Sequence, residues 1–361
     1  MLQPHSWDRL AVAVQSGDPG SMLELYRTAL RLRRSHPAVG AGTVTALDPC
    51  RLAPLASINR VRLGARTARE LLSAAALAEL TEEAGLRPHG PVRSYLDACL
   101  GGGDPVRPAA EVVADHFGQR LGTLVATLRA GERPARPEWD DSYWARWAGT
   151  TTVWLGGGLA GGRFGALVAE RADGLVVGCR VAVPPAASGD LPLLGAARAA
   201  RRPRAAALVL DFGHTLVKGA VAGYDGGELT SLRRLTAVPA PSAAAAGEAL
   251  AESIVDTLAG AWAEAGSPDG PVVAAMAAYV RDGQPVRTPL GTYTRLADVS
   301  DDVPGWLSAR LSARVGAGMR VMLVHDGTAA AHALPPDPHA VVVLLGTSLG
   351  VGFPHPCPGL V

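Results

Sequence analysis

Two stretches of this sequence share one design: an apolar strand runs into a turn of glycine and hydroxyl residues and then returns as a second strand. One is 208–220, LVLDFGHTLVKGA, and the other is 341–352, VVVLLGTSLGVG. Apolar runs this short, bounded by turn residues and alternating with helical patterns, read as buried strands of an α/β protein. A strand–turn–strand unit that occurs twice fits two similar lobes.

The segments around these units extend the pattern. Strands are expected over 206–210, 216–224 and 228–238, with Asp225, Gly226 and Gly227 as a hairpin turn between the last two. An Ala-rich helix over 242–265, a strand over 272–280, a helix over 303–315, a strand over 320–324 and a helix over 327–334 follow. Before residue 200, helices are expected over 65–83, 92–100, 108–130, 161–171 and 193–200, and strands over 151–155 and 175–183. Residues 134–147, rich in proline and tryptophan, read as a connector.

Composition removes several function classes. The 361 residues can hold two cores, and 48% hydrophobic with 19% charged residues is a globular balance. A net charge of +1 points to no nucleic-acid partner and no anionic membrane surface. No apolar run is long enough to span a bilayer, and the start carries no secretory pattern, so a cytoplasmic location is expected. The cysteines at 50, 99, 179 and 357 have neither metal-site nor disulfide-framework spacing. Lys218 is the only lysine in an arginine-rich chain, which raises the question of what arginine could not do there.

Four segments carry candidate chemistry. In 208–220, Asp211 ends a buried strand where a carboxylate can hold hydrated Mg²⁺. Gly213 lets the backbone approach phosphates, Thr215 adds a hydroxyl, and Lys218 offers an ammonium. The bland alternative is an ordinary hairpin. In 341–352, Gly346, Thr347, Ser348 and Gly350 form a turn that could clamp the same phosphates, although glycine turns after apolar strands are common. In 324–331, VHDGTAAA, Asp326 sits at a strand end as a candidate general base or as a helix N-cap. In 152–165, TVWLGGGLAGGRFG, the cluster Gly156, Gly157 and Gly158 offers a flat surface for adenine or, more plainly, a tight turn.

Together these segments resemble the actin-like/sugar-kinase/heat-shock ATPase superfamily, and within it the ROK sugar kinases and repressors. LVLDFGHTLVKG is similar to the first phosphate motif and LLGTSLGVG to the second. VWLGGGL with LLGAA is similar to the adenosine motif, and VHDGTAAA to the segment bearing the catalytic aspartate, here Asp326. The resemblance implies a two-lobed, ribonuclease-H-like α/β fold, with ATP and Mg²⁺ as cofactors and a small-molecule partner, a sugar or similar polar metabolite. A homodimer is one arrangement the sequence allows.

The motif order departs from the family. There, the first phosphate motif comes first and the adenosine motif last; here the adenosine part precedes it. This is the pattern of a circular permutation, which surface termini permit, or of halves that pair between two chains. The implied organisation places the second lobe with the adenosine motif at 51–203. The first lobe, with the first phosphate motif and Asp326, covers 204–338, and 339–361 begins the second lobe. Residues 1–50 resemble the last barrel helix of bacterial α-glucosidases, through 17–39, GDPGSMLELYRTALRLRRSHPAV, without the barrel that such an enzyme needs.

Two family features are missing. The Glu-x-Gly-His sugar motif and cysteine-rich zinc loop have no counterpart in 353–361, FPHPCPGLV, and His325 stands where the family carries asparagine at its sugar site. A substrate-binding role for His325 is therefore expected to differ from that of an amide. No winged-helix segment is found, which weighs against the repressor branch. The expected function is an ATP-dependent carbohydrate kinase; the alternative is a non-catalytic nucleotide- or sugar-binding protein that kept the fold.

Overall fold

The computed structural model describes residues 57–103, 105–131, 141–185, 188–200, 206–242, 247–288 and 291–354, together with residues 16, 21, 23, 24, 27 and 28. The chain divides into two compact units, Met1–Asp48 and Pro49–Val361. In the first unit, Ser21 Oγ accepts from the Glu24 amide at 3.3 Å, and Arg27 pairs with Glu24 at 2.7 Å. Most of 17–39, the link at 201–205, Cys50, His355 and Cys357 lie outside the described residues.

The second unit is α/β with mixed sheets. It opens with a 3₁₀ turn (Ile58–Arg60) and a small antiparallel pair, β1 (Arg62–Leu63) and β2 (Arg66–Thr67). Helices α1 (Ala68–Leu72), α2 (Ala74–Glu83), α3 (Val92–Gly101), α4 (Arg107–Ala130) and α5 (Asp141–Ala148) follow. The helix expected over 65–83 is divided at Ser73. Its backbone is extended (φ −80°, ψ 169°) and its hydroxyl accepts from the Ala76 amide, so one residue ends α1 and caps α2. Helix α5 corrects the expected connector. Tyr143, Trp144 and Trp147 recur on one helical face and are buried, and that aromatic area holds the segment helical despite the prolines before it.

Next come β3 (Thr152–Gly156), α6 (Gly162–Asp173), β4 (Arg180–Ala182) and α7 (Leu191–Ala199). Strand β4 is shorter than the 175–183 expected, because Gly178 takes φ +67° and breaks the extended run. Then follow β5 (Ala207–Phe212), β6 (Leu216–Asp225), β7 (Glu228–Arg234), β8 (Val238–Pro239), α8 (Gly247–Glu264), β9 (Val272–Met276), β10 (Val280–Arg281) and β11 (Gln284–Pro285). The chain continues through a 3₁₀ turn (Tyr293–Asp298), α9 (Val303–Val315), β12 (Val321–His325), α10 (Asp326–His332), β13 (Ala340–Leu345) and β14 (Leu349–Gly352).

Two sheets organise the unit. The larger has the order β12-β9-β5-β6-β7, with β8 also beside β6, and the smaller has the order β14-β13-β3-β4. In the larger sheet, β5 runs antiparallel to β6 and parallel to β9, which is parallel to β12. In the smaller sheet, β13 runs antiparallel to β14 and parallel to β3, which is parallel to β4. Both therefore share one scheme: a central strand with its own hairpin partner on one side and two parallel strands on the other. The larger sheet takes all its strands from one continuous stretch of chain, 207–325. The smaller draws its hairpin from 340–352 and its parallel strands from 152–182, within one chain.

Strands β5, β9 and β13 are buried along their whole length, which is why β9 and β13 carry unbroken apolar runs and β5 is apolar but for Asp211. Helix α7 sends Leu193, Ala196 and Ala197 to Ala207 and Val209 of the larger sheet, and Leu191 to Val342 and Leu344 of the smaller. It crosses α10 at Gly195, where a Cβ would fall 1.5 Å from the Ala329 carbonyl oxygen, so only glycine lets the backbones meet. Among the described residues, no helix is long and apolar enough to cross a membrane.

Candidate functional site

The β5–β6 hairpin places the first cluster. Asp211 and Lys218 face each other in register, and Lys218 Nζ lies 4.0 Å from Asp211 Oδ2. The same ammonium donates to the Gly189 carbonyl and lies 3.6 Å from Asp190 Oδ1. Asp190 also takes Arg234 at 2.9 Å. Lys218 is thus shared between the hairpin and the 188–190 turn that leads into α7. Asp211 is 7% exposed. Burial pushes its carboxyl up to about 7, Lys218 pulls the other way, and the charges of Asp326 and Asp190 add to the rise.

The turn itself is braced from outside. Tyr293 donates its hydroxyl to the Gly213 carbonyl at 2.8 Å, and its ring packs edge-on against Phe212. A Cβ at Gly213 would sit 3.0 Å from the Leu216 carbonyl oxygen, tighter than ordinary contact. Thr215 is exposed, and its carbonyl accepts from the Ala240 amide at 3.0 Å. His214, which sequence reasoning passed over, is half-buried. Burial holds its imidazole below the usual range, Asp326 opposes that effect, and Arg69 adds to it.

The second turn joins β13 to β14. Its Gly346 carbonyl accepts from the Ala74 amide at the start of α2 at 2.8 Å. Asn59 grips the strand after the turn: its Nδ2 donates to the Leu349 carbonyl at 2.7 Å, and the Leu349 amide donates to its Oδ1 at 2.8 Å. Thr347 is exposed and Ser348 half-buried. A Cβ at Gly350 would lie 3.4 Å from Asp326 Oδ1, so this turn closes directly over the candidate base.

The glycine cluster after β3 has unequal members. Gly156 is wedged between Leu344 and Leu191, with an added Cβ at 2.7 and 2.8 Å from them. Gly157 has φ +87°, and its Cβ would meet the Leu345 carbonyl oxygen at 2.4 Å. Both are required by packing. Gly158 alone has open space around it. The Gly157 amide donates to the Ser188 carbonyl at 3.0 Å, and the Leu159 amide to the Leu345 carbonyl at 3.1 Å. The sequence-derived groups are therefore linked: Lys218 reaches Gly189, the neighbouring Ser188 holds Gly157, and the cluster rests on the strand that enters the second turn.

Asp326 is the first residue of α10, and the cap is His325, one residue earlier. His325 is 5% exposed. Its Nδ1 accepts from the Thr328 amide at 3.3 Å and lies 3.2 Å from Thr328 Oγ1, and its Nε2 lies 3.2 Å from Asp326 Oδ1. Asp326 Oδ1 also accepts from the Gly327 amide at 2.6 Å. Tyr279 stacks on the imidazole with ring centres 5.7 Å apart and planes inclined by 29°. Burial holds the His325 imidazole below its usual range, with Asp326 opposing.

The structure brings Asp211, Lys218, Asp326 and both turns to one region, and adds Asn59, Asp190, His214 and Tyr279. Among the described residues, no group of three or more His, Cys, Asp or Glu side chains could hold a metal ion directly. What the arrangement offers is a buried carboxylate with one cation near it, a second carboxylate with one oxygen engaged, and glycine turns on either side. No protein-family model matches the chain, and a search of curated proteins gave no match.

Proposed function

We propose that this chain is an ATP-dependent phosphotransferase, a ROK-like kinase of the actin-like/sugar-kinase superfamily in circularly permuted form. Its acceptor would be a hydroxyl of a sugar or similar polar metabolite. The observation that carries the reading is the repeated strand scheme of the two sheets: each central strand enters a glycine turn, and Asp326 lies beside the second turn and within electrostatic reach of Asp211. Two helices that cross at Gly195 between the sheets suit a pair of lobes that close on a ligand.

The residues fit Mg·ATP through one property above all. Asp211 is buried with its carboxyl pushed up to about 7, a charge whose cost a divalent cation would relieve. With no direct metal cluster among the described residues, the ion would be held through water and phosphate oxygens. Gly213, Thr215 and Lys218, with Gly346, Thr347, Ser348 and Gly350, would hold the phosphates, and adenosine would lie at the open face of Gly158. Bound Mg·ATP would supply the phosphoryl group and the cation that offsets its charge.

The chain's own part is positioning and proton transfer. Asp326 would accept the proton of the acceptor hydroxyl as that oxygen forms its bond to phosphorus. Lys218 would exchange its Gly189 and Asp190 partners for phosphate oxygens. The test is calorimetric titration of Mg·ATP into the wild-type chain and Asp211→Ala, followed by a sugar screen for turnover with Asp326→Asn as control. Binding lost in the first variant, and turnover lost with binding kept in the second, is expected. No binding to the wild type sinks the proposal.

A further inference from the structure

We infer that His325 is a positioning residue for Asp326: its Nε2–H holds Oδ1 of the carboxylate and leaves Oδ2 as the atom that takes the proton. The role in turnover rests on the phosphotransferase reading, whereas the hydrogen-bond arrangement stands without it.

The geometry assigns the tautomer. The Thr328 amide is a donor and can point only at an acceptor, so Nδ1, 3.3 Å away, carries a lone pair. A neutral ring with Nδ1 unprotonated has its proton on Nε2, and Nε2 faces Asp326 Oδ1 at 3.2 Å. Burial holds the imidazole below its usual range and favours the neutral ring, with the Asp326 charge opposing. Turning the ring over would put carbon at both positions and lose both contacts at once. Tyr279, stacked on one face, restrains the ring plane.

The partner atoms divide the carboxylate. Oδ1 lies 3.2 Å from His325 Nε2 and accepts from the Gly327 amide at 2.6 Å. A Cβ at Gly350 would come within 3.4 Å of the same oxygen, so the second turn also crowds that side. Oδ2 has no hydrogen bond among the described residues, although Asp326 is largely buried, with 18% of its side chain exposed. A carboxylate pinned at one oxygen presents the other in a fixed direction, which is what a general base requires. His325 offers a substrate little surface in this arrangement: it is 5% exposed, its Nδ1 caps Thr328 and its Nε2 lies against Asp326. That separates it from the substrate-binding role its position suggested in the sequence.

Two variants divide the functions of the ring. In His325→Asn, the amide oxygen can still cap Thr328, but nothing reaches Asp326. In His325→Gln, the amide nitrogen can reach towards Asp326 while the cap is lost. Nitrogen–proton correlation spectra of the full-length chain, wild type against His325→Asn, identify the His325 ring signals among those of the nine histidines. An Nε2–H tautomer near neutral pH is expected. An Nδ1–H tautomer or an imidazolium overturns the inference, whether or not the chain is a kinase.

The second arm measures turnover of Mg·ATP with sugar acceptors and with water. His325→Asn is expected to lower kcat roughly 10- to 100-fold with KM little changed, the effect of a misplaced catalytic group. His325→Gln is expected to recover part of kcat despite lower thermal stability. A raised acceptor KM with unchanged kcat would mean that His325 contacts substrate, and would overturn the positioning role. If the wild type turns over no acceptor, the phosphotransferase reading fails, and the tautomer alone decides the arrangement.

Discussion

Asn59 and Leu349, 290 residues apart in the chain, exchange two hydrogen bonds, with Nδ2 donating at 2.7 Å and Oδ1 accepting at 2.8 Å. The side-chain amide takes the place of a neighbouring strand, satisfying both backbone groups of a residue just past the second turn. Replacing Asn59 with Ala leaves a donor and an acceptor unpaired, at about 1–3 kcal/mol. Chemical denaturation should show that loss. Asn59→Asp should recover only the acceptor half and still repel the Leu349 carbonyl. Equal stability of all three proteins would mean that this turn is held by something else.

Asp211 makes stability depend on pH in a defined direction. Its carboxyl is raised from 3.8 to about 7 in the folded chain, so the folded state binds this proton more tightly than the unfolded state. Through this group, stability falls as pH rises from about 4 to about 7 and then levels off. Asp211→Asn removes that slope. The variant should melt above the wild type near pH 8, by about 2–4 °C for each kcal/mol of burial cost removed, and approach it near pH 4, while Mg·ATP binding is lost. Parallel melting curves across this range would contradict the buried-charge account.

The unique lysine has a specific task. Lys218 donates to the Gly189 carbonyl and lies 3.6 Å from Asp190 and 4.0 Å from Asp211. A compact ammonium can turn among three oxygens in that space, whereas a planar guanidinium needs a broader, fixed arrangement. A Cβ at Gly189 would lie 3.8 Å from Nζ, which shows how close the ammonium sits to that backbone. Lys218→Arg should therefore not substitute. Mg·ATP affinity should fall about tenfold or more, equivalent to roughly 1.4 kcal/mol, by titration calorimetry. Wild-type affinity in the variant would mean that only the charge matters.

Gly195 offers the sharpest packing test. Its Cβ would overlap the Ala329 carbonyl, with 1.5 Å between them. Gly195→Ala must push α7 from α10, at a cost of about 1–3 kcal/mol or more in overpacking. Because these helices connect the two sheets, ligand binding should weaken together with thermal stability. Gly158→Ala, in open space, serves as the control and should leave the melting temperature close to that of the wild type.

The parts of this fold that could be read from sequence are those whose environment is uniform. Residues 340–345 are apolar throughout and 207–212 apolar but for Asp211, because both faces are covered, and the turns after them announce themselves by glycine. Helix α5 could not be read, since prolines dominate its approach and its helical signal is three aromatics that matter only once buried. Ser73 was hidden because a serine inside a helical pattern looks like surface. In the candidate site, Asp211, Lys218, Asp326 and the glycines stood out by residue type and position. Asn59, Asp190 and Tyr279 did not, because each acts on a partner far away in sequence. His214 lay inside the first motif, yet its neighbourhood with Asp326 and Arg69 exists only in three dimensions. At His325 the sequence position suggested substrate, whereas in the structure its Nδ1 caps Thr328 and its Nε2 lies beside Asp326.

The split origin of the smaller sheet bears on biosynthesis. Strands β3 and β4 leave the ribosome long before β13, which pairs with β3 along 340–344. Until then β3 has a bare edge, while the larger sheet, whose strands emerge in succession, can already close. A nascent chain of this protein therefore carries one finished sheet and one waiting edge, a template for mispairing or for a holdase. Translation speed over the segment between β4 and β13 should then govern the yield of folded protein.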